Sequence, residues 1–150
     1  MFGKLGNSRG MTLIEIMVVL AIMGVIMALV GTSVMDRLAT AKVQAAKAQI
    51  KGFEDALEQY HLDNDAYPST DQGLEALVAK PSGGRVPKHY PAKGYLKGGK
   101  VPKDPWGENY RYYSPGLQGH EYEIYANGKD KQEGTEDDVA SFESESGGGE

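Results

Sequence analysis

A largely apolar segment near the start of the chain is followed by a segment whose apolar residues lie in a stripe on one face of a helix. Residues 11–30 read MTLIEIMVVLAIMGVIMALV, in which Glu15 is the single charged residue. After residue 40 the apolar positions recur three or four residues apart, which places them on one face of an α-helix. The members of this stripe are Val43, Ala46, Ile50, Phe53, Leu57 and Tyr60. Because no proline interrupts residues 11–62, the pattern predicts one helix of about 50 residues whose stripe packs against a core.

The apolar first half of this helix is long enough to cross a membrane, since twenty residues of helix measure about 30 Å. It is longer than the core of a secretory signal peptide, and no clear A-x-A cleavage site follows it. A transmembrane anchor fits better, with Lys4 and Arg9 holding the N-terminus in the cytoplasm. An anchor does not explain Glu15, because a carboxylate in hydrocarbon is costly and usually marks function.

The chain after the helix carries signals for short elements joined by loops. A capping box from Ser69 to Gln72 predicts a short helix that ends at Leu77 or Val78. The loop that follows is rich in glycine, proline and lysine, and its aromatic residues are predicted to pin it to the body. These residues are His89, Tyr90, Tyr95 and Trp106.

Two aromatic-rich segments near the C-terminus predict a β-hairpin. Residues 109–114 and 120–126 alternate and flank a PGLQG turn, and a third short strand is expected near residues 139–142. We expect this sheet to pack on the striped face of the helix. The predicted fold class is therefore α+β, a long N-terminal helix with a small antiparallel sheet.

Composition narrows the function. The chain has 150 residues and a net charge of −5 without a basic stripe, so nucleic-acid binding is not expected. Cysteine is absent, so no disulfide staples the domain. An anchored enzyme is one hypothesis, but His61, His89 and His120 stand in no known catalytic motif, and no catalytic residue is expected. No nucleotide-binding P-loop is present either.

Residues 127–138, called the acidic loop below, crowd acids into twelve positions. The acids are Asp130, Glu133, Glu136, Asp137 and Asp138. Hard oxygen ligands without His or Cys suit Ca²⁺, although the order of ligands is not that of an EF-hand. On composition alone, a solvated acidic loop is the simpler interpretation, because charge runs usually face water.

The start of the chain resembles a known family. Residues 10–26, GMTLIEIMVVLAIMGVI, are similar to the class III signal of type IV pilin-like proteins. This resemblance implies that a prepilin peptidase cuts between Gly10 and Met11 and methylates the new amine of Met11. It also implies that Glu15 recruits an incoming subunit by pairing with a neighbour's N-terminal amine. The alternative is that Glu15 reaches the membrane surface or pairs with the amine of its own chain.

Three further segments, residues 60–78, 94–116 and 128–139, resemble the major pseudopilin of type II secretion systems. The resemblance implies a type IV pilin-like fold and calcium binding in the acidic loop. It points to side-chain ligands from Asp130, Asp137 and Asp138, with carbonyl ligands from Asn127 and Gln132. A type IV pilin for adhesion or motility is the alternative, but pilins of that kind usually carry a C-terminal disulfide.

The resemblance also implies an organisation and a set of partners. The expected parts are a leader peptide (1–10), a transmembrane or filament-core helix (11–35), a periplasmic domain (36–140) and a flexible tail (141–150). The chain is expected to sit in the bacterial inner membrane with a single pass and to polymerise with copies of itself into a periplasmic filament. That filament helps push folded proteins through the outer membrane. Minor pseudopilins, the inner-membrane assembly platform and prepilin peptidase are the other expected partners.

Overall fold

The computed structural model describes residues 11–144 of the chain, except for the side chains of residues 29–33, 143 and 144. The predicted leader, residues 1–10, and most of the predicted tail lie outside the described residues. The described elements are one long helix, three short strands and two single-turn 3₁₀ helices. The predicted α+β class is confirmed.

The long helix α1 spans Leu13–Asn64 and continues through Gly24 and Gly31. The chain divides into two compact units, Met1–Ala39 and Thr40–Glu150, and the described part of the first unit is helical apart from its first two residues. The large apolar side chains that are described in that unit are exposed on every side of the helix, with Leu13, Met17 and Met27 at 79%, 62% and 72%. Among the described residues, no helix reaches the combined length and apolarity expected of a membrane span.

The second unit contains the hydrophobic core. Five of the six predicted stripe residues, from Ala46 to Tyr60, are at most 2% exposed, and Val43 packs partly buried at the edge. Tyr112 of β1 and Ile124 of β2 lie in the same core cluster as the stripe, and the ring of Phe53 lies 4.9 Å from that of Tyr110, the residue before β1, in an edge-on arrangement. The predicted packing of the sheet on the striped helix is therefore confirmed. Every residue of the core cluster and of its partly buried rim lies between positions 43 and 139, so the core is complete within this unit.

The sheet has three antiparallel strands in the order β1-β2-β3. Strand β1 spans Arg111–Tyr113, β2 spans Glu123–Ala126 and β3 spans Val139–Ala140. The first predicted strand is longer than β1 at both ends, the second is longer than β2 at its start, and the third is longer than β3 at its end, because aromatic alternation continues past the residues that pair. All four residues of β2 are buried, since Phe142 covers Tyr125 on the face away from the helix.

The capping box forms as expected, and the short helix predicted after it is a 3₁₀ helix that ends at Leu77. Ser69 N donates to Gln72 Oε1 at 3.0 Å, and Gln72 N donates to Ser69 Oγ at 3.3 Å. The chain then makes a turn and a single 3₁₀ turn, Leu74–Leu77, that Gly73 precedes with a φ of 61°. Gly73 leaves the helical region of backbone space, so the short helix starts at Leu74 rather than directly after the capping box.

The aromatic residues of the lysine-rich loop pin it as predicted, with one exception. Tyr90, Tyr95 and Trp106 pack against the core, and Tyr90 OH donates to the carbonyl of Ala76. The side chain of His89 is exposed, so it does not pin the loop. Instead its backbone N–H donates to Asn64 Oδ1 at 3.1 Å.

The turn between β1 and β2 is built around a fully buried carboxylate, that of Glu123. This group accepts hydrogen bonds from the backbone N–H groups of Leu117 and Gln118 at 2.9 and 2.7 Å, and from Tyr125 OH at 2.8 Å. His120 Nδ1 lies 3.1 Å from it. Burial alone raises the pKa of Glu123, but these hydrogen bonds outweigh burial and lower the pKa below its usual value.

Candidate functional site

The described chain reaches Glu15 at the start of α1. Thr12 precedes the helix, and the two residues form a reciprocal pair: Glu15 N donates to Thr12 Oγ1 at 3.3 Å, and Thr12 N lies 3.5 Å from Glu15 Oε2. This is the S/T-x-x-E capping box, which satisfies two N–H groups that the helix leaves without a partner. Within a single subunit the carboxylate of Glu15 therefore caps the N-terminus of its own helix.

The acidic loop returns from the end of β2 to the start of β3. Gly128 and Gly134 have positive φ values of 66° and 80°, so the chain turns at both positions. A Cβ atom at Gly128 would collide with the backbone carbonyl of Asp137. The loop therefore closes on itself at Gly128, and only glycine fits there.

Asp137 organises the loop from inside. Its Oδ2 accepts hydrogen bonds from the backbone N–H groups of Lys129 at 2.6 Å and Asp130 at 3.0 Å, and its Oδ1 accepts one from the Thr135 hydroxyl at 2.7 Å. The bond from the Asp130 amide is the largest of the effects that lower the pKa of Asp137. Both oxygens of this predicted ligand thus already bind within the loop.

Asp138 is the least exposed acid of the loop, with 11% of its side chain accessible. Its Oδ2 accepts hydrogen bonds from Gly134 N at 2.9 Å and from Arg111 Nη2 at 2.7 Å. Its Oδ1 is buried and, within the described residues, has no hydrogen-bond partner. A buried carboxylate oxygen without a donor is costly, which marks this atom as a place for a bound cation or water.

The structure brings the other predicted ligands to the same loop in different roles. Asp130 Oδ1 accepts a hydrogen bond from Gln132 N at 2.8 Å, and the Gln132 carbonyl lies 3.4 Å from the Thr135 hydroxyl. Asn127 was predicted as a carbonyl ligand, separate from the side-chain ligands. Its side-chain Oδ1 accepts a hydrogen bond from Arg111 Nε at 2.6 Å. Over residues 11–144, no group of three or more acid or histidine side chains is placed to hold a metal ion.

Comparison with known proteins decides the family. The model of the type II secretion system protein G family matches residues 33–145, and the prokaryotic N-terminal methylation motif matches residues 5–31. The chain belongs to the protein G family of type II secretion. Core protein G of Pseudomonas aeruginosa is 53% identical over 134 residues, which are 89% of this chain and 92% of that protein. Core protein G of Vibrio cholerae is 44% identical over 133 residues, 89% of this chain and 88% of that protein.

A solved structure of the family agrees with the fold. The crystal structure of the major pseudopilin from the type 2 secretion system of enterohaemorrhagic Escherichia coli superimposes with a TM-score of 0.66 and 36% sequence identity. The match covers 73% of this chain and 93% of that one. The comparisons therefore confirm the protein G family and do not favour the type IV pilin alternative. The members of this family are structural subunits of a pseudopilus.

Two residues of this protein G chain were missed by reasoning from the sequence. Arg111, on β1, contacts three side chains of the acidic loop, and Thr12 caps the helix at Glu15. Thr12 had a local signal, because it stands three residues before Glu15 in a capping-box pattern. Arg111 had a weaker signal, a lone cation in the aromatic segment NYRYYS. Its partners lie 16 to 27 residues away in sequence and could not be read from spacing.

Proposed function

We propose that this protein is the major pilin-like subunit of a type II secretion pseudopilus, stored in the inner membrane and polymerised into a periplasmic filament. The observation that carries this proposal is the first part of α1, where large apolar side chains are exposed all round a single helix. A soluble monomer rarely leaves so much apolar surface in contact with water, whereas a membrane or neighbouring helices would cover it. Membership of the protein G family supports the same conclusion.

Processing and assembly are part of the proposal. Cleavage between Gly10 and Met11 would create an amine that carries a positive charge at neutral pH. We propose that Glu15 of one subunit pairs with this amine on its neighbour. An ion pair in an apolar environment loses much of its attraction to desolvation, so it fixes the position of the incoming subunit more than it adds stability. Prepilin peptidase, minor pseudopilins and the assembly platform are the proposed partners.

Glu15→Ala is expected to reduce filament yield about tenfold or more in cells that carry the other components of the secretion system, because it removes the carboxylate that is proposed to pair with the neighbour's amine. A tenfold loss corresponds to about 1.4 kcal/mol. Glu15→Asp keeps the charge and should retain more filaments than the alanine variant. Filaments are counted by electron microscopy and compared with the subunit content of the membrane. Normal filaments from the alanine variant would contradict the pairing role.

Thr12→Val is the matched control for this experiment. It removes the hydroxyl that caps the helix at Glu15 and leaves the carboxylate in place. If Glu15 acts through the neighbour's amine, this variant should assemble far better than Glu15→Ala. If Glu15 serves only as a helix cap, the two variants should fail alike. Mass analysis of each N-terminus separates an assembly defect from failed cleavage at Gly10.

We also propose that the acidic loop binds Ca²⁺. The buried Oδ1 of Asp138, which has no partner among the described residues, is the feature that fits a cation. The candidate metal ligands of the acidic loop are all hard oxygens. The side chains of Asp130, Asp137 and Asp138, with carbonyls of Asn127 and Gln132, would hold the ion. Asp137 and Asp130 would have to exchange hydrogen bonds inside the loop for metal bonds. The bound ion would supply positive charge and a staple that the cysteine-free chain lacks.

Millimolar Ca²⁺ is expected to raise the melting temperature of a fragment that begins at Asp36 by about 10 °C relative to EDTA. A ligand present at a hundred times its dissociation constant stabilises by about 2.7 kcal/mol, and each kcal/mol shifts a domain of this size by several degrees. Unfolding is followed by the fluorescence of Trp106, the single tryptophan. The same concentration of Mg²⁺ is the control, because Mg²⁺ demands a stricter geometry. Identical melting curves in EDTA and Ca²⁺ would refute the proposal.

A further inference from the structure

Arg111 reaches from the sheet into the acidic loop and binds three of its oxygens at once. Nε donates to Asn127 Oδ1 at 2.6 Å, Nη1 to Glu133 Oε1 at 2.7 Å, and Nη2 to Asp138 Oδ2 at 2.7 Å. These residues lie at the beginning, middle and end of the loop. The planar guanidinium group presents its donors in a fixed fork, which suits it to hold several oxygens in one arrangement.

The sheet fixes the position of this guanidinium group. Arg111 lies directly opposite Tyr125 in the register of β1 and β2, and its guanidinium carbon is 5.0 Å from the centre of the Tyr125 ring. Tyr113, two residues along the same strand, donates its hydroxyl to the same Glu133 oxygen at 2.7 Å. The side chain of Arg111 is 18% exposed, so its charge is largely withdrawn from water. The cation is therefore held by the rigid part of the domain.

The acidic loop carries five acids, and their mutual repulsion opposes the compact conformation described above. Lys131 forms an ion pair with Glu108 at 2.9 Å, outside the loop, through a side chain that is 53% exposed. Arg111, by contrast, sits against two of the loop's own carboxylates, and one of these, Asp138, in turn accepts the amide of Gly134. Removing Arg111 would leave the Gly134 amide as the one donor to Asp138 Oδ2 within the described residues, beside an Oδ1 that has none there.

We infer that Arg111 is a built-in cation that holds the acidic loop in its folded conformation when no metal ion is bound. Arg111 is thus a positioning residue for the loop. One consequence rests on the proposed calcium function: an incoming ion would meet a loop that is already folded, and the free Oδ1 of Asp138 would be presented to it rather than created by it. The role of Arg111 itself does not depend on calcium.

The test is hydrogen exchange of the full chain in non-ionic detergent micelles, measured by mass spectrometry in EDTA and then in CaCl₂. Peptides covering residues 127–138 report the loop, whose amides at Lys129, Asp130 and Gly134 donate to its own carboxylates. Peptides from residues 50–60 report the core. In EDTA, Arg111→Gln is expected to speed exchange in the loop about tenfold, since it removes charge-assisted hydrogen bonds. Exchange in the core should change far less.

Two variants make the result specific. Lys131→Gln removes the same charge from the loop but only an exposed ion pair, so its loop should exchange almost as slowly as the original. Arg111→Lys keeps the charge without the fork and should fall between. Equal loop exchange in Arg111→Gln and the original chain in EDTA would overturn the inference. So would an equal acceleration of loop and core, which would mean a general loss of stability.

The calcium arm answers a separate question. If Ca²⁺ slows loop exchange in the original chain or in Arg111→Gln, calcium binding is supported independently of Arg111. If CaCl₂ changes exchange in neither protein, the calcium proposal fails, while the comparison in EDTA still decides the role of Arg111.

Discussion

Glu123→Ala is expected to lower the free energy of unfolding of the globular half by about 3–5 kcal/mol, the usual cost of removing one partner from a buried, hydrogen-bonded charge network. The carboxylate of Glu123 is fully buried and receives two backbone N–H groups and the hydroxyl of Tyr125. Alanine would leave these donors buried without an acceptor. Urea unfolding of the fragment that begins at Asp36, followed by Trp106 fluorescence, measures the loss.

The pH dependence supplies a second readout for Glu123. Its pKa is lowered in the folded state, so its contribution to stability is complete above its ordinary value of 4.5 and is lost as the pH falls through the lower folded value. Glu123→Gln should therefore lose stability at neutral pH but show a shallower further loss towards about pH 3. Equal slopes in the acid range would contradict this origin of the stability.

Glu121→Ala is the matched control, because Glu121 lies two residues earlier on the same segment with an exposed side chain. It is expected to leave the urea midpoint almost unchanged. A loss as large as that of Glu123→Ala would show that the effect comes from charge in this region rather than from the buried carboxylate.

Phe53→Ala is expected to destabilise the same unit by about 3–5 kcal/mol, the range for removing a buried aromatic side chain. Phe53 is 1% exposed and makes the edge-on contact with Tyr110 that joins α1 to the sheet. Because a domain is stable by about 5–15 kcal/mol in total, this single change would remove a large share of the stability. The urea midpoint of the fragment from Asp36 checks the prediction.

Phe53→Leu separates packing from hydrophobicity at this position. It keeps an apolar side chain and should cost less than half as much as alanine, because less of the cavity is left empty. If alanine and leucine were equally harmful, the edge-on contact with Tyr110 would dominate over volume. If alanine were harmless, the helix and the sheet would not share one core.

The burial of one of these two residues was predictable from the sequence, and the burial of the other was not. Phe53 stands in a stripe of helical period, and that period alone predicted its burial. Glu123 stands in an aromatic-rich segment whose pattern did not predict its burial. It is buried because the turn of residues 116–118 folds back over it and supplies donors, an arrangement that no local pattern encodes.

The candidate site divides in the same way. The crowding of acids marked residues 127–138 as a candidate site, and the resemblance named the candidate calcium ligands. Neither predicted that Asp137 would bind the loop's own amides, nor that Arg111 would pair with Asp138. The contact of Arg111 joins β1 to the loop, so it depends on the strand register of β1 against β2, whereas the contacts of Asp137 lie within the loop and depend on how it closes. The calcium ligand set stays a prediction until the ion is tested.

The sequence by itself determined the long helix, its apolar first half, its striped second half and the family, because period, length and motif are properties of neighbouring residues. The capping box at Glu15 is also a property of neighbouring residues, because Thr12 stands three residues before it. Only the tertiary structure decided where the strands end, that Glu123 is buried and that Arg111 pairs with Glu133 and Asp138 of the acidic loop. Each of these depends on which distant segments meet, and the free energy of burying a charge depends on those partners.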